Sequence, residues 1–310
     1  MTWTERKDDK MHEIYLYGSI LVTDSFILAG EFPEGNQYAE YTQHHTHIGG
    51  ETGVCMAILS SFGINIKATG YHQGTYTAPK LLDYFKDKPV DMSALTIRDD
   101  FEGFHDYVFI DRINNTRSII GPFGTLPQIF KHPYNMPAEE DIAASKLAAI
   151  DPFQDDASIM AAELCVKNKV PYVTIDSGYD SYMANHCAVA IISDEFLSGA
   201  YPGQDSEQLM QEYMSRGDGL YIFTFGSREV LYGRKGVIKR YEPFHIKALS
   251  TLGAGDTFKC GCTYAYYKNM SDDELVAFAC AIAACACSVY PLTENLPTLE
   301  QVRNILDTRK

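Results

Sequence analysis

Short apolar runs alternate with helix-like segments along most of this 310-residue chain, and that alternation restricts its fold more than any other feature. Ile14–Val22, Ile64–Tyr71, Leu147–Asp151, Tyr172–Asp176, Ala188–Ile192 and Leu220–Phe225 read as strands. Several are continuously apolar, the pattern of strands covered on both faces. Between them lie the helix-compatible segments Gly53–Ser61, Thr77–Lys86, Ala157–Lys167, Ser206–Ser215, Asp256–Lys268 and Asp272–Ser288. Such an order builds a mostly parallel central sheet flanked by helices, a three-layer α/β architecture. No repeat, low-complexity tract or long linker divides the chain, so residues 1–310 read as one domain.

Two stretches break the alternation, Ser25–His47 and Val90–Ile120, and read as insertions at about 25–47 and 90–120. In the second, Phe109–Ile113 and Thr116–Ile120 flank Asn114-Asn115. Asn tolerates left-handed backbone angles, so this is a predicted β-hairpin.

The chemistry concentrates in Ser250-Thr251-Leu252-Gly253-Ala254-Gly255-Asp256-Thr257-Phe258. Gly253 and Gly255 let the backbone turn tightly and approach a ligand. Free N–H groups where a helix begins form a seat for phosphate or a developing oxyanion. A carboxylate beside that seat, Asp256, can take the proton of a hydroxyl attacking phosphorus. A plain turn with an acidic cap is the competing reading of these few residues. No Gly-x-x-x-x-Gly-Lys-Ser/Thr loop and no protein-kinase signature occurs, so the phosphate seat is built otherwise.

The Gly-Ala-Gly-Asp-Thr-Phe run resembles the C-terminal signature of the ribokinase-like (PfkB) sugar kinases, and further pieces follow that family's order over nearly the whole chain. Gly18-Ser19-Ile20 with Asp24 resembles the first strand and its sugar-binding Asp. Gly49-Gly50 and the helix after it resemble the Gly-Gly turn, and Tyr107–Ile120 resembles the lid hairpin. Ser193-Asp194-Glu195-Phe196 stands where the family carries Asn-x-x-Glu, and Thr224-Phe225-Gly226 resembles the Thr-x-Gly of the nucleotide strand. The resemblance implies a Rossmann-type ribokinase-like fold with a small β-sheet lid formed by the two insertions. It implies phosphoryl transfer from ATP, with Mg2+, to a hydroxymethyl group of a small sugar. Asp256 would be the base, with Gly253, Ala254 and Gly255 around the phosphate. Asp24, Gly49, Gly50 and Glu51 would meet the acceptor, and Thr224 and Gly226 the nucleotide. Glu195, with Asp194 second, would orient Mg2+ through water. The lid is the family's frequent dimer contact, which makes a homodimer an expectation here.

Departures accompany these matches. Ser250 replaces the Asp that opens the signature, which leaves monovalent-cation activation open. Val54 stands near where the Gly-Gly turn is followed by Asn, and Glu229 replaces the second Gly of the nucleotide strand. Glu51 would repel a phosphorylated acceptor, so an unphosphorylated sugar is expected. A nucleoside kinase, or a catalytically silent ligand-binding member of the fold, are the alternatives.

The net charge of −15, from 26 basic and 41 acidic residues, argues against nucleic-acid and anionic-membrane partners. Met1–Glu13 has no apolar core of a secretory signal, and no run of 18 apolar residues occurs, so a cytoplasmic protein is expected. Cys260-Gly261-Cys262 and Cys285-Ala286-Cys287 have a spacing that diverges on a helix and mostly small or apolar neighbours, so they read as small buried hydrophobes, not a metal site. His44, His45 and His47 form a cluster in which His45 and His47 share a strand face, but with no carboxylate or Cys at ligand spacing they read as lid-strand or substrate-edge histidines, not a metal site.

Overall fold

A computed structural model describes residues 12–114 and 116–309. The reading of Met1–Glu13 therefore falls largely, and that of Asn115 wholly, outside the described residues.

The strands are Ile14–Gly18 (β1), Leu21–Leu28 (β2), Tyr41–Gly49 (β3), Ile66–Gly70 (β4), Val90–Asp91 (β5), His105–Asp111 (β6), Thr116–Ile120 (β7), Leu147–Ile150 (β8), Tyr172–Ile175 (β9), Val189–Ser193 (β10), Leu220–Thr224 (β11), Val230–Arg234 (β12) and Val237–Tyr241 (β13). The helices are Glu51–Ser61 (α1), Thr77–Phe85 (α2), Leu126–Ile129 (α3), Glu139–Ala143 (α4), Asp155–Lys167 (α5), Tyr182–His186 (α6), Asp194–Ala200 (α7), Ser206–Arg216 (α8), Ala254–Tyr267 (α9), Asp272–Cys287 (α10) and Leu299–Asp307 (α11). The main sheet runs β13-β12-β11-β10-β9-β8-β1-β4-β5, parallel except at the β12 and β13 edge. A second sheet runs β3-β2-β6-β7.

Each central strand sends alternate residues into two cores, as a period of two requires. Ile14, Leu16, Ala149, Val173, Ile191 and Ile222 pack on the side of α1, α9 and α10. Tyr15, Tyr17, Ile150, Tyr172, Ile192 and Phe223 pack on the side of α5, α6 and α8. The α9–α10 contact is tight: a Cβ on Gly261 would lie 2.6 Å from Ile282 and 2.8 Å from the Ala279 backbone. Small residues of α10 therefore serve helix packing. All eight cysteines are free, and seven are buried.

The single strand predicted over Ile14–Val22 is two strands in different sheets. The chain leaves the main sheet after Gly18 and enters the lid sheet at Leu21. Apolar residues continue through the corner because both sheets are buried there, so hydrophobicity alone carries no mark of the break. The second insertion divides as well. Val90–Asp91 extends the main sheet beside β4, and only His105–Ile120 joins the lid.

Candidate active site

The carboxyl ends of β1 and β8 and the N-termini of α1 and α9 converge, as ligand sites of open α/β sheets do. Gly253 is left-handed, with φ 78°, and caps α9. A Cβ there would come within 2.7 Å of the Leu292 side chain, so both backbone angle and space demand glycine. The helix begins at Ala254, which places Asp256 in its first turn and not at the cap. The first-turn N–H groups have no acceptor within the helix. Gly255 is exposed, with open space where its Cβ would be. The Ala254 N–H is taken by the Thr251 carbonyl at 3.2 Å, so a glycine turn, the N–H groups of Gly253 and Gly255, and a first-turn acid coincide at one point.

Asp256 is half-buried. Burial and the nearby Asp151 carboxylate push it up to about 6, against the pull of Lys259 and Arg117. Glu51, the first residue of α1, is raised well above the ordinary carboxylate range by burial and then by Asp256 and Asp151. Beneath both acids lies an ion pair that the sequence did not announce. Lys259 Nζ donates to Asp151 Oδ1, with the side chains 1% and 0% exposed. The other Asp151 oxygen accepts from the Ser19 N–H at 2.7 Å and from Thr52 Oγ1 at 2.9 Å. One carboxylate thereby ties β1, β8, α1 and α9 together. The signal available was a lone lysine in the apolar run after Asp256 and an acid at a strand end.

Gly49 and Gly50 are packed against the chain's own atoms. Cβ atoms on them would fall 2.1 Å from Thr23 Oγ1 and 2.3 Å from the Ser19 carbonyl. Gly50, at φ 80°, is the N-cap of α1, and Thr52 and Gly53 N–H both reach the Ser19 carbonyl at 3.1 Å. These glycines bring Glu51 close to the β1–β2 corner.

Asp24 is set apart from this group. Successive strand residues point to opposite faces. Thr23, Ser25, Ile27, Asp106, Val108 and Ile110 share one lid face through the β2–β6 register. That face looks inward, because Ile27, Val108 and Ile110 pack with Leu252 and Tyr290, and Tyr290 OH donates to Ser25 Oγ at 2.7 Å. Asp24 lies on the other face, where it accepts from Tyr76 OH at 2.6 Å and Thr46 Oγ1 at 2.5 Å, with His44 Nε2 at 3.0 Å. Burial opposes ionisation there, but the three partners hold its pKa below the usual value. Its oxygens are thus engaged within the lid. The histidines also have partners that linear spacing hid, with His45 Nδ1 lying 3.8 Å from Glu294 and His47 Nε2 lying 2.9 Å from Ser25 Oγ. Among the described residues no group of three or more His, Cys, Asp or Glu is placed to hold a metal ion.

Further along the carboxyl edge of the main sheet, Thr224 closes β11 and exposed Gly226, at φ 62°, turns the chain toward β12. Glu229 is paired with Arg240 at 2.5 Å, so the residue replacing the family glycine is drawn into a surface ion pair. Ser193 caps α7, accepting from Phe196 N–H at 3.1 Å, which puts Asp194 and Glu195 in its first turn. Asp194 pairs with Arg228 at 2.5 Å, while Glu195 is exposed. Asp176, missed in the sequence, accepts from Ser193 N–H at 2.7 Å and is raised by burial, with Glu195 adding to the rise. From the lid, Arg117 donates to Thr251 Oγ1 at 3.1 Å and so places a cation beside the glycine turn.

Residues 11–299 match the pfkB family carbohydrate kinases. The chain belongs to that family, and its fold is ribokinase-like. It is 27% identical over 166 residues to a ribokinase of Haemophilus influenzae, covering 48% of this chain and 51% of that protein. The chain thus spans about half the length of that first curated relative. It is 23% identical over 322 residues to a nucleoside kinase of Methanocaldococcus jannaschii, covering 97% and 99% of the two chains. The structure of Arabidopsis thaliana ribokinase complexed with ribose and ATP superposes with a TM-score of 0.77 at 18% identity, over 95% of this chain and 98% of that one.

Proposed function

We propose that the protein, as one ribokinase-like unit over residues 1–310, transfers the γ-phosphoryl group of ATP to a hydroxymethyl group of a small unphosphorylated sugar. The observation that supports this most is the placement of Asp256 in the first turn of α9, directly after the left-handed Gly253. An acceptor hydroxyl beside Asp256 would give up its proton to the carboxylate while its oxygen attacks phosphorus. The backbone N–H groups of Gly253 to Gly255 would receive the charge that builds on the phosphoryl oxygens. Arg117, from the lid, adds a positive charge to the same place.

ATP supplies the phosphoryl group, and Mg2+ neutralises its charge. Thr224 and Gly226 fit the nucleotide side of the cleft. Glu195, left free while Asp194 is tied to Arg228, fits water-mediated orientation of the ion, with Asp194 second. Ser250 Oγ accepts the Leu252 N–H at 3.2 Å, a turn contact, so rates measured in potassium and in sodium salts decide whether a monovalent cation takes part. Asp256, a carboxylate above pH about 6 with Asp151 and Glu51 beside it, argues against a phosphorylated acceptor. The outward lid face, where Phe26, Phe109 and His44 stack and Tyr41 is exposed, supports a homodimer through the lid. No helix among the described residues is long and apolar enough to cross a membrane. A nucleoside kinase is the second reading, favoured by the nearly full-length match to the archaeal nucleoside kinase.

Turnover of ATP against sugars, amino sugars, sugar acids, sugar phosphates and nucleosides tests the proposal. With the acceptor so found, Asp256→Asn should lower kcat at least about a hundredfold while changing acceptor and ATP binding little. Near-wild-type turnover by that variant refutes the base. Binding of acceptor without any turnover by the native protein would establish the silent alternative.

A further inference from the structure

The inward face of the lid carries a carboxylate that neither the motif nor the resemblance singled out. Asp106 pairs with Thr23 across the β2–β6 ladder and shares its face. It is 6% exposed. Thr23 donates to it, yet Asp106 Oδ1 is buried with no hydrogen-bond partner among the described residues. The loop at Gly121 and Phe123 closes against it without supplying a donor: a Cβ on Gly121 would stand 3.0 Å from Asp106 Cβ. An unpartnered buried carboxylate oxygen is uncommon and costly in a folded protein.

Its surroundings place it at the acceptor end of the site. Thr23, its partner, touches the Gly49 position that leads into Glu51. The same lid face packs on Leu252, the residue before Gly253. Burial pushes Asp106 up to about 6; Thr23 and His105 oppose the rise, while Asp256 and Asp24 add to it. A ligand able to donate a hydrogen bond would relieve this group. Asp24, one residue and one face away, has its three donors already.

We propose that Asp106 is the acceptor-reading carboxylate of this enzyme, taking a hydrogen bond from a hydroxyl or ammonium group of the substrate, and that Asp24 instead braces the lid. The proposal rests on the kinase reading above. A one-residue displacement along β2 moves an acid to the opposite face of a sheet. Recognition of the acceptor is then recovered from the neighbouring strand. A site built around such a hydrogen bond discriminates strongly against analogues that lack the donor.

The test measures steady-state kinetics of wild type, Asp106→Asn and Asp24→Asn with MgATP. The acceptors are matched pairs: D-ribose and 2-deoxy-D-ribose, D-glucose and D-glucosamine, adenosine and 2′-deoxyadenosine, with D-fructose and myo-inositol added. For the acceptor turned over, Asp106→Asn should raise KM at least about tenfold and leave the KM for ATP within about twofold. It should also shrink the preference over the deoxy partner. Asp24→Asn should lower Tm but leave acceptor KM within about threefold. The amino-sugar arm separates the two donors: a preference above about tenfold for the amine identifies an ammonium, and its absence a hydroxyl. Should Asp106→Asn not fold, Thr23→Val removes the hydroxyl that orients the carboxylate, and the same rise in KM is expected. The reverse ranking, with acceptor KM rising in Asp24→Asn alone, overturns the assignment while leaving the kinase intact. A wild-type protein inert toward the whole panel refutes the kinase reading and this inference with it.

Discussion

Replacing Lys259 by Met tests whether the buried ion pair holds the active-site end of the fold together. The pair is closed to solvent, with Lys259 1% and Asp151 0% exposed. Methionine keeps most of the side-chain length and removes the charge. Asp151 would keep its donors from Ser19 and Thr52 but lose its counter-charge. Stranding one member of a buried pair typically costs about 3–5 kcal/mol, and the two remaining donors point to the lower part of that range. Equilibrium urea unfolding of the wild type, Lys259→Met, Asp151→Asn and the double variant forms a double-mutant cycle. The double variant should lose about 1–3 kcal/mol less than the sum of the singles, because it strands no charge. A single substitution costing under about 1 kcal/mol, with an additive double, would refute the account. The same substitution has a catalytic signature. Lys259 lowers the Asp256 pKa, so its removal should move the acidic limb of activity to higher pH.

With Asp256 held up to about 6, its proposed role as base requires kcat/KM to be full above that pH and to fall as pH drops through about 6; a flat profile from pH 5 to 8 would exclude it as the titrating base. Gly253→Ala forces a non-glycine residue to φ 78° with a contact at 2.7 Å, and should cost about 1–2 kcal/mol of stability and depress kcat more than the KM for acceptor, measured by thermal unfolding and steady-state kinetics.

Much of the frame was legible in the chain itself. Runs such as Tyr172–Ile175 and Leu220–Thr224 are apolar on both faces because both faces are covered, and such runs between helical segments specify a parallel sheet. Gly253 followed by an acid in a helix-compatible run was equally legible, since a left-handed cap leaves glycine as the residue without a steric penalty. These features are local: a residue's type and its near neighbours suffice to produce them.

What only the tertiary structure decided depends on which face a side chain takes and what another segment brings to it. Ile14–Val22 reads as one strand until the Ser19–Ile20 corner sends its halves into different sheets. Asp151 and Lys259 lie 108 positions apart, and only the packing of α9 over β8 joins them. Asp24 and Asp106 are both acids near the lid, and sequence order favours the first. The β2–β6 register turns Asp24 outward to Thr46, Tyr76 and His44, and Asp106 inward beside Thr23. Composition and spacing are unchanged by a shift of one residue along a strand, whereas the chemistry it presents to the site is reversed.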